Sequence, residues 1–172
     1  MIRISRKEFD NIIEQINEVL DTGAFITAVV TFMIFAINIA LTFLSYTLFK
    51  QTTVNNNIIS MLYSKHPYII GLIVILLLPF VEEILFKAQK FKNTKFLDNH
   101  KVIKTIIIAL LFACFHCITE IVTLYYKVII SMINYILFYS ITNTIYIRSN
   151  YNIMKPIAIH MLLNALSLII SL

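Results

Sequence analysis

The stretch YIIGLIVILLLPFVEEILFK, residues 68 to 87, decides the fold. It is apolar with no alternation, and it is long enough to cross ~30 Å of hydrocarbon, which takes ~18 to 20 helical residues. A strand of this composition would leave backbone groups unpaired in lipid, so the run is read as a helix. Its charges appear only at the end, after Pro79. Four further runs of similar character occupy residues 24–49, 102–125, 128–147 and 156–172. Between the first and the third runs lie two polar connections, QTTVNNNIISMLYSKHP and the lysine-rich KAQKFKNTKFLDNHK.

The whole chain agrees with that stretch. Over 172 residues it is 59% hydrophobic and 13% charged, with 2 Gly and a mean hydropathy of +0.85, which excludes an ordinary soluble domain. No alternating barrel pattern is present. The expected architecture is all-α: a polytopic bundle of about five transmembrane helices forming a single integral membrane domain, residues 1–172. The net charge of +5 raises nucleic acid as a partner, but the Lys and Arg flank apolar runs and form no aromatic-interleaved basic patch. The lipid bilayer is the expected partner and nucleic acid is not.

Residues 1–23 read as an amphipathic interfacial helix. Phe9, Ile12, Ile13, Ile16, Val19 and Leu20 recur at helical spacing opposite a charged face. Ser5 and Glu8 form a capping-box pair at its start. Its acidic residues and the lack of a continuous apolar core before Gly23 argue against a cleavable signal. Eleven of the 14 Lys and Arg fall on the side of the membrane that holds the N-terminus, which predicts a cytoplasmic N-terminus.

Ionisable groups inside transmembrane helices cost at least a few kcal/mol and are functional candidates for that reason. Glu82, Glu83, His116, Glu120 and His160 are such groups here, and Asn164 adds an amide. Glu83 precedes Lys87 by four residues, the favourable order for a helical ion pair. Glu82 points about 100° away and is left free. Pro79 cannot donate a backbone N–H and is expected to kink the helix just before the acidic pair.

Phe112, His116 and Glu120 share one stripe of the third run, where Glu120 can accept a hydrogen bond from His116 and fix its tautomer. His160 and Asn164 are one turn apart in the last. Snorkelling carboxylates and a quietly packed histidine are the structural alternatives. Cys114 and Cys117 form a Cys-x-x-Cys, but within an apolar run they read as small hydrophobes rather than a redox or metal pair. His66 and His100 fall in loops.

Depth arithmetic sets a difficulty for one shared site. At ~1.5 Å per residue, His116 lies roughly 18 Å from Lys104, whereas Glu82 and His160 lie about 8 to 12 Å from their flanking lysines. Convergence requires the third helix to tilt or to begin outside the membrane.

Taken in order, EEILFK at 82–87, FACFH at 112–116 and HMLLN at 160–164 resemble the three signature motifs of the CAAX protease and bacteriocin-processing family of intramembrane proteases: Glu-Glu-x-x-x-Arg, Phe-x-x-x-His and His-x-x-x-Asn. The resemblance covers roughly residues 68–172 and departs at Lys87, which stands where the family has Arg. It implies an intramembrane peptidase with Glu82, His116, His160 and Asn164 as catalytic residues and Glu83, Lys87 and Phe112 in support. Glu82 with His116 would deprotonate water, and His160 and Asn164 would face the oxyanion.

The substrate would be a small hydrophobic peptide, such as a bacteriocin or signal-peptide precursor, or a membrane protein. No cofactor is implied. Zinc on the carboxylate and the two histidines is the chemical alternative; a non-catalytic immunity protein and a proton-coupled transporter are the others. The abundance of Ile, Lys and Asn suggests an AT-rich bacterial genome. Oligomeric state is not legible.

Overall fold

In the computed structural model, residues 6–18, 23–49, 61–88, 101–122 and 128–171 are described. The Ser5 cap, His100 and most of the lysine-rich connection lie outside them. Among the described residues every regular element is helical. They form α1 (Arg6–Glu18), α2 (Ala24–Phe49), α3 (residues 67–88), α4 (Lys101–His116), α5 (Ile118–Val122), α6 (Val128–Arg148) and α7 (Met154–Ser171).

The chain is an integral membrane helix bundle. Three helices, Ala24–Thr47, Pro67–Lys87 and Val128–Arg148, are long and apolar enough to span a membrane; Val102–His116 and Met154–Ile170 are shorter apolar helices. The distribution of side chains is inverted relative to a soluble protein. Phe25, Phe32, Phe43, Tyr68 and Val102 stand on the outside, while Glu83, Lys87, Thr142 and His160 are buried. Lipid accepts the first set and rejects the second, so the charged groups turn inward.

The core is the seam where α4, α6 and α7 meet, built from Ile108, Ala109, Phe112, Phe138, Tyr139, Ile159 and Leu163, with Ile34 of α2 packed on it. Ala109 and Phe112 are both about 1% exposed in this seam. A polar pair ties α2 to α6: Asn134 donates from Nδ2 to Asn38 Oδ1 at 3.1 Å, an oxygen that also accepts from Thr42 one turn along α2 at 3.3 Å. Such bonds add a fraction of a kcal/mol to about 2 kcal/mol between helices in lipid.

Two features depart from uniform spans. First, α3 is not a regular α-helix. Ile73–Leu77 and Ile84–Ala88 are π-helical turns on either side of Leu78–Glu83. The Leu78 N–H bonds back to Ile73 O, five residues earlier. Continuing that register would require Pro79 to donate to Val74 O, and proline has no N–H. The expected disturbance at Pro79 therefore takes the form of a widened turn with an orphaned carbonyl. Second, the third run is broken. α4 ends at His116, the chain turns at Cys117, and α5 continues from Ile118. Cys117 is buried and Cys114 is exposed, so the two thiols face different surroundings.

At one end of the bundle, α1 docks on the turn between α6 and α7. Asn150 and Tyr151 adopt left-handed backbone conformations there, with φ of 53° and 64°. Asn152 Nδ2 donates to Gln15 O at 3.2 Å and to Glu18 Oε2 at 2.9 Å, and the Ile153 N–H donates to Gln15 Oε1 at 3.1 Å. Lys155 pairs with Glu18 at 2.5 Å. Gly23 lies under this contact: a Cβ there would meet Glu18 O at 3.1 Å and Lys155 Cε at 3.2 Å.

Candidate active site

The polar residues of α3, α4 and α7 meet inside the bundle. Glu82 Oε2 lies 3.3 Å from His116 Nε2 and 3.6 Å from His160 Nε2. The separation in depth anticipated for His116 is absent. α4 is only 16 residues long, ~24 Å, and delivers His116 from its C-terminal end.

The partners of the two histidines fix their tautomers. His116 Nδ1 is 2.9 Å from Phe112 O, a carbonyl that can only accept, so Nδ1 carries a hydrogen. His160 Nδ1 is 3.1 Å from Glu83 Oε1, and an ionised Glu83 likewise only accepts. Both Nε2 atoms are therefore turned toward one oxygen of Glu82. The part assigned to Glu120 in setting the His116 tautomer is filled by the Phe112 carbonyl; the Glu120 side chain lies outside the described residues.

With both histidines carrying a hydrogen only on Nδ1, Glu82 Oε2 would face two lone pairs and no donor. A hydrogen shared between Glu82 Oε2 and His116 Nε2, the pair at hydrogen-bond distance, makes that contact a hydrogen bond, whereas His160 Nε2 at 3.6 Å lies beyond one.

Glu83 and Lys87 lie beneath the trio. Both side chains are 0% exposed and form an i, i+4 ion pair through Glu83 Oε2. Lys87 also donates to Thr142 Oγ1 at 3.0 Å, and its ammonium lies 4.8 Å from the centre of the Tyr139 ring. Phe112, 1% exposed, is the hub of an aromatic cage. Its ring centre lies 4.2 Å from that of His116, 5.0 Å from Phe86 and 5.7 Å from Phe138. Phe138 meets His160 edge-on at 4.7 Å, and Tyr135 lies 4.6 Å from His116.

Asn164 projects from α7 one turn past His160 and donates from Nδ2 to Val74 O at 2.9 Å. That oxygen is the carbonyl orphaned by Pro79. The amide thus closes the defect in α3, leaving a second Nδ2 hydrogen that this bond does not use.

The contributions of α6 are not among the sequence-derived site residues. Tyr135, Phe138, Tyr139 and Thr142 fall at i, i+3, i+4 and i+7, an aromatic and hydroxyl stripe on one face of the helix. That periodicity is the signal from which they could be found. His66 is exposed and away from the cluster.

A bundle of apolar helices with carboxylates, imidazoles and an ammonium interlocked in its interior defines a membrane protein organised around a buried acid–base centre. The family model described as Type II CAAX prenyl endopeptidase Rce1-like matches residues 64–166, which span α3 to α7 and all the residues of this centre. The chain belongs to that family and is a membrane protease at the level the family defines. No curated protein and no solved structure matches it.

Proposed function

We propose that the protein is an intramembrane endopeptidase that hydrolyses a peptide bond in a small hydrophobic or membrane-associated substrate, such as a bacteriocin-like or signal-peptide-like precursor. Glu82 and His116 act together as the base that takes a proton from water and passes it to the leaving amine. His160, held through Nδ1 by Glu83, presents Nε2 to the developing oxyanion as a hydrogen-bond donor. Asn164 supplies the remaining amide hydrogen to the oxyanion.

The observation that carries this reading is the convergence of two imidazole Nε2 atoms on one oxygen of Glu82, each with its Nδ1 hydrogen held by a fixed acceptor. No resident cofactor enters the scheme. In this reading the N-terminus lies on the cytoplasmic side of a bacterial membrane, the side on which most of the Lys and Arg fall.

The test is cleavage by protein reconstituted in liposomes. Two internally quenched peptides are used: a farnesyl-cysteine peptide with a three-residue aliphatic tail, and an unprenylated apolar leader peptide. Cleavage of the second at the higher rate supports the precursor assignment; preference for the first overturns it. Loss of general-base catalysis typically costs 10²- to 10⁴-fold, so Glu82→Gln should lower the rate by at least about 100-fold. Cleavage by Glu82→Gln at the wild-type rate defeats Glu82 as the base, and no cleavage of either peptide by the folded wild type defeats the protease reading. Activity lost to a chelator and restored by zinc defeats the metal-free mechanism.

A further inference from the structure

Lysine is a poor substitute for arginine as a brace. A guanidinium offers a planar fork that holds both carboxylate oxygens, whereas an ammonium is a point charge on a flexible stem. In this chain Lys87 contacts one oxygen of Glu83, and the other oxygen holds His160 Nδ1. A single contact leaves the ammonium free to swing about that oxygen and to turn the carboxylate with it.

Thr142 removes that freedom. Its hydroxyl hydrogen is directed to its own helix, with Phe138 O at 2.9 Å and Tyr139 O at 3.2 Å, so its oxygen is left as an acceptor. Lys87 donates to that oxygen at 3.0 Å. The third ammonium hydrogen has the face of Tyr139, 4.8 Å away. All three donors of Lys87 are thereby placed, two of them by α6, and the Thr142 residue is 0% exposed, so no lipid or water competes.

We propose that Thr142 is a positioning residue for His160, acting through Lys87 and Glu83, and that it compensates in this chain for lysine at the position of arginine. The chain of contacts from Thr142 to Lys87, Glu83 and His160 links α6, α3 and α7. Its role in catalysis rests on the protease reading, but its geometric content does not.

The test therefore reads His160 directly. Protein with ¹⁵N-labelled histidine rings in detergent micelles gives the ring-nitrogen shifts, with His160 assigned by its loss in His160→Gln. The wild type should show a protonated, hydrogen-bonded Nδ1. Thr142→Val should shift the His160 ring nitrogens and leave those of His66 in place; Thr142→Ser should restore the wild-type signal. In a cleavage assay with the quenched apolar peptide, Thr142→Val should lower kcat by roughly tenfold, with KM changed less than twofold, and Thr142→Ser should recover it.

Should Thr142→Val fail to fold, Thr142→Ala alone and combined with Lys87→Arg serves instead. The signal is displaced in the first and restored in the second, because an arginine holds Glu83 without the hydroxyl. Unchanged His160 shifts in folded Thr142→Val, or no recovery with Lys87→Arg, overturns the proposal. No cleavage by the folded wild type sinks the protease reading alone and leaves the ring-nitrogen result standing.

Discussion

Lys87 and Glu83 show how much a buried charge depends on its partner. Both side chains are inaccessible, so removing one strands the other, a loss of about 3–5 kcal/mol for a buried pair. Lys87→Met should therefore destabilise the protein by that amount in thermal or denaturant unfolding. The double variant Glu83→Gln with Lys87→Met should recover most of it, because the amide oxygen still accepts from His160 Nδ1 and no lone charge remains. A double variant as unstable as Lys87→Met would show that the ammonium contributes through packing on Tyr139 rather than through its charge. The ion pair itself was legible in the sequence, since four residues separate its members on one helix. The direction of Glu82 was legible too, as the carboxylate left without an intrahelical cation. The partners of Lys87 on α6 were not: Thr142 follows Lys87 by 55 residues, and nothing local marks a threonine that accepts from a lysine.

At the scale of the element, the informative helix is α3, where a proline, two π-helical turns and an amide from another helix form one unit. The sequence placed the defect at Pro79 but could not show its form. A proline interrupts the backbone ladder in any helix; whether the helix bends or widens depends on what packs against the freed carbonyl. Here Asn164 packs against it. An orphaned carbonyl in an apolar interior costs about 1–3 kcal/mol, so Asn164→Ala should destabilise the wild-type background by roughly that amount. With Pro79→Ala the new backbone N–H can bond Val74 O itself, and the further loss of Asn164 should then cost clearly less. Equal costs in both backgrounds, measured as a double-variant cycle in denaturant unfolding, would show that the Asn164 bond is not a response to the proline. The same cycle followed by peptide cleavage separates the two parts of Asn164: if Pro79→Ala with Asn164→Ala is stable yet inactive, the amide has a direct part in the reaction. The third run reads differently from α3. Its hydrophobicity continues to Tyr125, so composition alone could not place the turn at Cys117, and because α4 ends at His116 the imidazole is presented from a helix end to Glu82 and His160, which lie inside their own helices.

Across the whole molecule, the amphipathic α1 is joined to the element that carries His160, although it lies outside the region the family model covers. Its apolar side chains Ile12 and Ile13 are about 40% exposed, while its last turn is locked to the α6–α7 turn by Gln15 and Glu18. Asn152 is 2% exposed and links the two, receiving nothing from bulk water. Asn152→Ala should cost about 1–3 kcal/mol, read as a lower unfolding temperature and as faster proteolysis of residues 6–18. The contact should also respond to pH. The hydrogen bonds from Lys155 and then Asn152 hold the Glu18 carboxyl below its usual 4.5. A carboxyl whose folded value is lowered stabilises the fold at pH above the unfolded value and loses that contribution as pH falls through the folded one. The wild type should thus release α1 as the medium is acidified below about pH 4.5, with the protease-sensitive segment appearing first. Glu18→Gln should show a more sensitive α1 near neutrality and a flatter acid limb, because the titrating group is gone. Since Glu18 and Asn152 share one hydrogen bond, their combined effect should fall short of the sum of the two. An acid limb that survives intact in Glu18→Gln would place the sensitivity on another group and separate α1 from the helix that presents His160.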